Sequence, residues 1–158
     1  MEENKYLEEN KKCMEKSQSN RINISSPNLV NICIDEINGE EIGGRLYHFY
    51  RKEPEKFNSI IELLRIMENL FDAIGFPQAS TKTRCLTDKE APAILYNNQF
   101  PKVVTPEELL RYKGEEGTFI TTVRFRQKST WQGDCFWVEG DEMQRFSDSI
   151  GFIRGISR

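Results

Sequence analysis

From Leu29 to Ile37 the apolar residues Val30, Ile32 and Ile34 alternate with Asn31, Cys33 and Asp35, the period of two that marks a strand. Asn38-Gly39 follows, a dipeptide suited to a tight hairpin turn because both residues tolerate positive φ. With those two residues at the turn, Val30 pairs with Tyr47 and Ile32 with Arg45. Farther on, Ser59 and Glu62 have capping-box spacing, and Ile60, Leu63, Leu64, Met67, Leu70, Phe71 and Ile74 recur at three and four. That spacing predicts a helix with one wide apolar face, ended by Gly75.

The same pattern returns 89 residues later without a gap, laying residues 30–67 over 119–156. Gly44 falls on Gly133, Glu53 on Glu142, Phe57 on Phe146, Ile61 on Ile150 and Arg65 on Arg154. The offset register sets Phe119 opposite Phe136 and Arg124 opposite Trp131. The second helix, near Ser149 to Ile156, is weakened by Gly151 and Gly155, each worth about 1 kcal/mol against alanine. The predicted fold is therefore α+β. Two ββα units, residues 29–75 and 118–158, are related by an internal pseudo-two-fold and form an antiparallel sheet with both helices on one face.

Between the units lies a bridge, residues 76–117. Thr105, Pro106 and Glu108 give it a strong helix start, and the short helix closes at Gly114. Ile94, Leu95, Tyr96 and Phe100 make the stretch too apolar for a free linker. Residues 1–20 alternate Glu and Lys with little to bury and read as a flexible charged tail ahead of a single domain, 21–158.

On the predicted pairing, Val30, Ile32, Ile34, Tyr47, Phe49, Phe119, Val123, Phe136 and Val138 face the helices. Leu29, Cys33, Leu46, His48, Tyr50, Ile120, Arg124, Arg126, Cys135 and Trp137 face the other way. That second face is too apolar to leave in water. Residues 88–113 of the bridge are the expected cover, with self-association or another protein as the alternatives.

Composition narrows the chemistry. Apolar residues make up 37% and charged residues 30% of the 158, the formal charge is −3 and the mean hydropathy is −0.63. These values describe a globular chain with no general attraction to phosphate backbones, so any nucleic-acid site must be local. A charged start and the lack of a long apolar run predict a cytoplasmic protein without a membrane partner. Cys13, Cys33, Cys85 and Cys135 lie far apart and His48 is the single histidine, which argues for reduced thiols and predicts neither metal nor cofactor.

The candidate partner-binding residues are Arg124, Arg126, Lys128, Trp131, Trp137, His48 and Tyr50, a mixture of cations and flat rings able to hold phosphates and stack bases. The plainer reading lays Arg124 on Trp131 as a cation–π pair. A Cys135–His48 nucleophile pair is a third possibility, although cysteines in strands are far more often packing residues.

Thr130-Trp131-Gln132-Gly133, the Phe146-Ser147 step, Gly44-Arg45-Leu46-Tyr47 and Phe76-Pro77-Gln78 resemble elements of a family of small proteins from Gram-positive anaerobic bacteria. Its marks are a Trp-Gln-Gly hairpin and a Phe-x-Ser entry into a helix. Asp148, rather than a serine, would cap the helix here. The resemblance implies an architecture and no activity. The sequence thus predicts a non-catalytic interaction or regulatory protein, an inhibitor or adaptor, that binds a macromolecular partner; the alternative is a nucleic-acid-binding protein using the basic and aromatic face.

Overall fold

The computed structural model describes residues 22–77, 101–127 and 130–157. The charged tail, Cys13, Cys85, Lys128 and the apolar bridge residues Ile94 to Phe100 lie outside the described residues. Within them the chain runs β1 (Val30–Asn38), β2 (Glu41–His48), β3 (Arg51–Phe57), α1 (Ile60–Ile74), α2 (Pro106–Arg111), β4 (Gly117–Gln127), β5 (Thr130–Trp137), β6 (Glu142–Phe146) and α3 (Ser149–Ile156). The fold is α+β: one six-stranded sheet in the order β3-β2-β1-β4-β5-β6, antiparallel throughout.

Each half has three strands before its helix where the sequence predicts two. The charged stretches Arg51–Phe57 and Glu142–Phe146, which lack strand alternation of apolar residues, form the two edge strands. They escape the pattern because an edge strand keeps most of its side chains in water, and only Phe57 and Phe146 at their ends are buried.

The pairing also differs from expectation. Val30 lies opposite His48, Phe119 opposite Trp137 and Arg126 opposite Trp131. Two local effects combine in each half, and in the second they are the turn between the paired Gln127 and Thr130 and a bulge at Arg124. The first turn begins one residue late, at Gly39 with φ +64°, so that Asn38 still pairs with Glu41. A bulge at Asp35, between the pairs Ile34/Gly44 and Glu36/Gly43, then takes one residue back. The net slip is odd, and an odd slip turns a strand over. Leu46, Trp131 and Cys135 therefore join the helix-side core, while Tyr47, Phe49, Phe136 and Val138 face the opposite side. The central strands β1 and β4 keep the predicted facing from Val30 to Ile34 and from Phe119 to Val123, but beyond the bulge at Arg124 the side chains of β4 exchange faces, so Arg126, expected on the far face, points to the helices.

The helices form as their caps dictate. Ser59 Oγ accepts the Glu62 N–H at 3.2 Å, Glu62 reaches back to the Asn58 N–H at 2.7 Å, and Gly75 closes α1 in the left-handed region at φ +68°. Asp148 caps α3 by accepting the Gly151 N–H at 2.6 Å. Leu63, Met67 and Phe71 of α1 and Phe152 of α3 are fully buried against the sheet, each worth roughly 2 kcal/mol in removed apolar surface.

The second face is covered as well. Ile22 and Leu29 before β1, and Val104, Leu109 and Leu110 around α2, close over Cys33, Tyr47, Phe49, Ile120, Phe136 and Val138. Backbone bonds seat this layer: Val103 and Val104 N–H donate to the Phe49 carbonyl at 2.7 and 3.1 Å. The Asn31 amide donates to the Leu109 and Tyr112 carbonyls at 2.8 and 2.9 Å, satisfying the open end of α2. Tyr112 stacks on Tyr47 with ring centroids 3.8 Å apart. The described part of the bridge thus supplies the cover.

Candidate functional site

The seven residues singled out in the sequence separate into distinct places. Arg126, 3% exposed, lies under α1 on the helix side. Its Nε donates to the Pro77 carbonyl at 2.8 Å, and its Nη1 to Glu68 at 2.8 Å and Asp72 at 2.9 Å. Trp131 beside it donates its indole N–H to Glu68 and packs on Phe71 and Phe152. This constellation fastens α1 to β4 and β5. Arg126 and Trp131 are buried and their donors are taken by Glu68, Asp72 and Pro77, which leaves neither side chain open to a base or phosphate.

Arg124 does not lie on Trp131. It occupies the bulge of β4, about half exposed, with its Nε 3.4 Å from Asp134 on β5. Its neighbour Arg126 instead lies over an aromatic face, 5.5 Å from the Phe71 centroid. Trp137 is half-buried against the helix-side core, and Gly140 lets its indole lie flat, since a Cβ there would come within 2.0 Å of the ring.

His48 and Tyr50 do come together, at a hollow of about 270 Å³ between the end of β2, β3 and α1. His48 Nδ1 accepts the Tyr50 N–H at 3.1 Å, which places the proton of a neutral ring on Nε2, 3.5 Å from Glu55. Arg51 reaches the other Glu55 oxygen at 3.5 Å. Burial pushes the imidazole below its ordinary range, with Glu55 opposing. The two cysteines among the described residues are elsewhere: Cys33 lies in the opposite core with its thiol pushed up to about 12 by burial, and Cys135 Sγ accepts from Thr121 Oγ1 at 3.4 Å. A thiol held in that state is a poor nucleophile. Among the described residues no group of three or more His, Cys, Asp or Glu is placed to hold a metal ion, and no helix is long and apolar enough to cross a membrane.

A different site stands at the far end of the sheet. β6 is the last strand, and α3 packs beside it. The Val138 N–H donates to the Thr118 carbonyl at 2.9 Å, which fixes the alternation of the ladder: residues 134 and 136 bond toward β4, and 133, 135 and 137 bond toward β6. On β6, residues 142, 144 and 146 are then turned to β5. The backbone N–H and C=O of Met143 and Arg145 point off the edge of the sheet.

Beside this edge runs an open groove of about 360 Å³, lined by Gln144, Arg145, Gly151, Arg154 and Gly155. The glycines let strand and helix approach, since a Cβ on Gly155 would come within 2.7 Å of Gln144 Oε1. Arg145 is 80% exposed, with one long contact to Asp134 at 3.4 Å. Arg154 is exposed and makes no ion pair among the described residues. Sequence reading missed this site, although Met143 and Phe146 hinted at a strand and the Gly151/Gly155 spacing at a close approach.

Comparison of the chain with models of known families, with curated proteins and with solved structures found no match in any of the three.

Proposed function

We propose that the chain is a non-catalytic interaction protein that binds a polypeptide partner at the end formed by β6 and α3. One observation carries this reading: β6 turns outward the backbone groups of Met143 and Arg145, which no strand pairs among the described residues, beside a groove with two arginines. The opposite edge is guarded. β3 carries Pro54 within a bulge and five charged residues, Arg51, Lys52, Glu53, Glu55 and Lys56, the devices that keep a sheet edge from pairing. β6 has no proline, and its three inner residues are Met143, Gln144 and Arg145.

The test is affinity capture from a lysate of the source organism with the tagged chain and two charge-reversed variants, retained proteins being identified by mass. Proteins held by the wild type and by R51E/K52E, and lost with R145E/R154E, are the expected result. Equal loss in both variants overturns the reading. Retained material that disappears on nuclease treatment and weakens steeply with salt assigns the function to nucleic acid instead.

A further inference from the structure

Resting on that reading, we infer that the partner contributes an extended segment that adds to β6 as a seventh, antiparallel strand, with two neighbouring acidic side chains followed by a basic one. Main-chain bonding comes first. Met143 and Arg145 each offer one N–H and one C=O outward, so an added strand gains up to four backbone hydrogen bonds, the usual source of affinity in strand addition.

Charge order sets the direction. The start of β6 is acidic, with Asp141 and Glu142, and its end is basic, with Arg145 on one face and Arg154 on the α3 face. An antiparallel segment runs from the basic end to the acidic end, so its acidic residues precede its basic one. The partner residue opposite Arg145 shares that face of the sheet. The next residue, opposite Gln144, points over the groove toward Arg154. Two residues farther on, the position opposite Glu142 suits Lys or Arg. The floor of Gly151 and Gly155 leaves the groove open for a carboxylate-bearing side chain. On the other face, Arg145 exchanges a 3.4 Å contact with Asp134 for a partner carboxylate.

The experiment selects a phage-displayed library of random twelve-residue peptides against the full chain, then measures a synthetic copy of the enriched sequence. The expected peptide carries two adjacent acidic residues and a basic residue two positions after them. Its binding slows amide exchange at Met143 and Arg145. N-methylating the peptide at alternate residues whose N–H faces β6 weakens binding at least tenfold, whereas methylating the intervening ones does not. R154E weakens binding at least tenfold, and a peptide with Lys in place of the second acidic residue recovers it. No enrichment, protection mapping to α1 or to Ile61 and Ile150 instead, or indifference to the methylation pattern overturns strand addition. If selection fails while R145E/R154E still abolishes capture, the partner presents a folded surface, and the broader interaction reading survives alone. An enriched sequence matching a segment of this chain points to self-association and overturns a separate partner.

Discussion

The two halves of the sheet each carry a bulge facing a glycine, and they finish differently. Bulges fall at Asp35 and Arg124, and the glycine across from each, Gly44 and Gly133, admits a carbonyl that any side chain would strike, that of Cys33 or Thr122. Each glycine pairs on its other side with the buried Phe57 or Phe146. The bulged residue forms an ion pair with the adjacent strand in both halves, with the charges exchanged: Asp35 with Arg45, Arg124 with Asp134. The ladder geometry therefore requires a small residue and a bulge, and either sign of charge serves the pair. The surroundings differ more. Arg45 also donates to Tyr47 Oη at 2.7 Å and to the Lys113 carbonyl at 2.9 Å, which draws the segment after α2 onto the first half. Arg124 is left half in water, and Asp134 Oδ1 has no hydrogen-bond partner. The first half ends in a guarded strand and a fifteen-residue helix; the second ends in a five-residue strand and an eight-residue helix with two glycines.

The largest expected effect tests the shared part. Gly44→Ala and Gly133→Ala bring a Cβ within 1.9 and 2.0 Å of backbone oxygen, and each should cost about 3 kcal/mol by chemical denaturation. Costs that differ by more than about 1 kcal/mol would break the equivalence of the two ladders. Arg126 comes next, because the corresponding position in the first half is the exposed Ile37. Arg126→Met should cost about 2 kcal/mol through its lost charge-assisted bonds, and Ile37→Ala less than about 0.5 kcal/mol.

Acid should act on the first half. An unfolded His48 takes up a proton near pH 6.5, while the buried ring resists it until lower pH. Between those values the unfolded state holds more protons, so stability present above pH 6.5 declines as pH falls through the lowered value. A thermal melt at pH 7.5 and 5.5 should show the decline in wild type and a flatter response in His48→Gln. Trp137, the counterpart in the second half, does not titrate. Asp35→Asn should cost about 1 kcal/mol and Asp134→Asn close to nothing, because only the first pair is reinforced by the neighbouring segment. Smallest in stability is Gly155→Ala. Its helix gain of about 1 kcal/mol offsets the shift forced on Gln144, and the change should show instead as weakened peptide binding.

What the sequence disclosed follows the same division. Patterns set by burial were readable: the strands β1 and β4, α1 with its Ser59 and Gly75 ends, the Thr105 start of α2 and the Asp148 cap. Facing on β2 and β5 was inverted because turns one residue late and the bulges at Asp35 and Arg124 leave no mark in hydrophobic periodicity. β3 and β6 were hidden since edge strands are mostly wet. The candidate site suffered from both. Arg126 and Trp131 looked available for stacking because their partners Glu68 and Asp72 lie more than fifty residues away. The β6 groove rests on outward backbone groups, which side-chain chemistry does not reveal.

The most direct measurement is the affinity of the selected peptide for three proteins, each shown to be folded by its thermal melt: wild type, Met143→Pro and R51E/K52E. Met143→Pro removes one outward N–H without taking a bond from β5, and should weaken binding at least tenfold while R51E/K52E binds as wild type does. Undiminished binding to Met143→Pro, or a loss confined to R51E/K52E, would contradict the assignment of the open edge to β6.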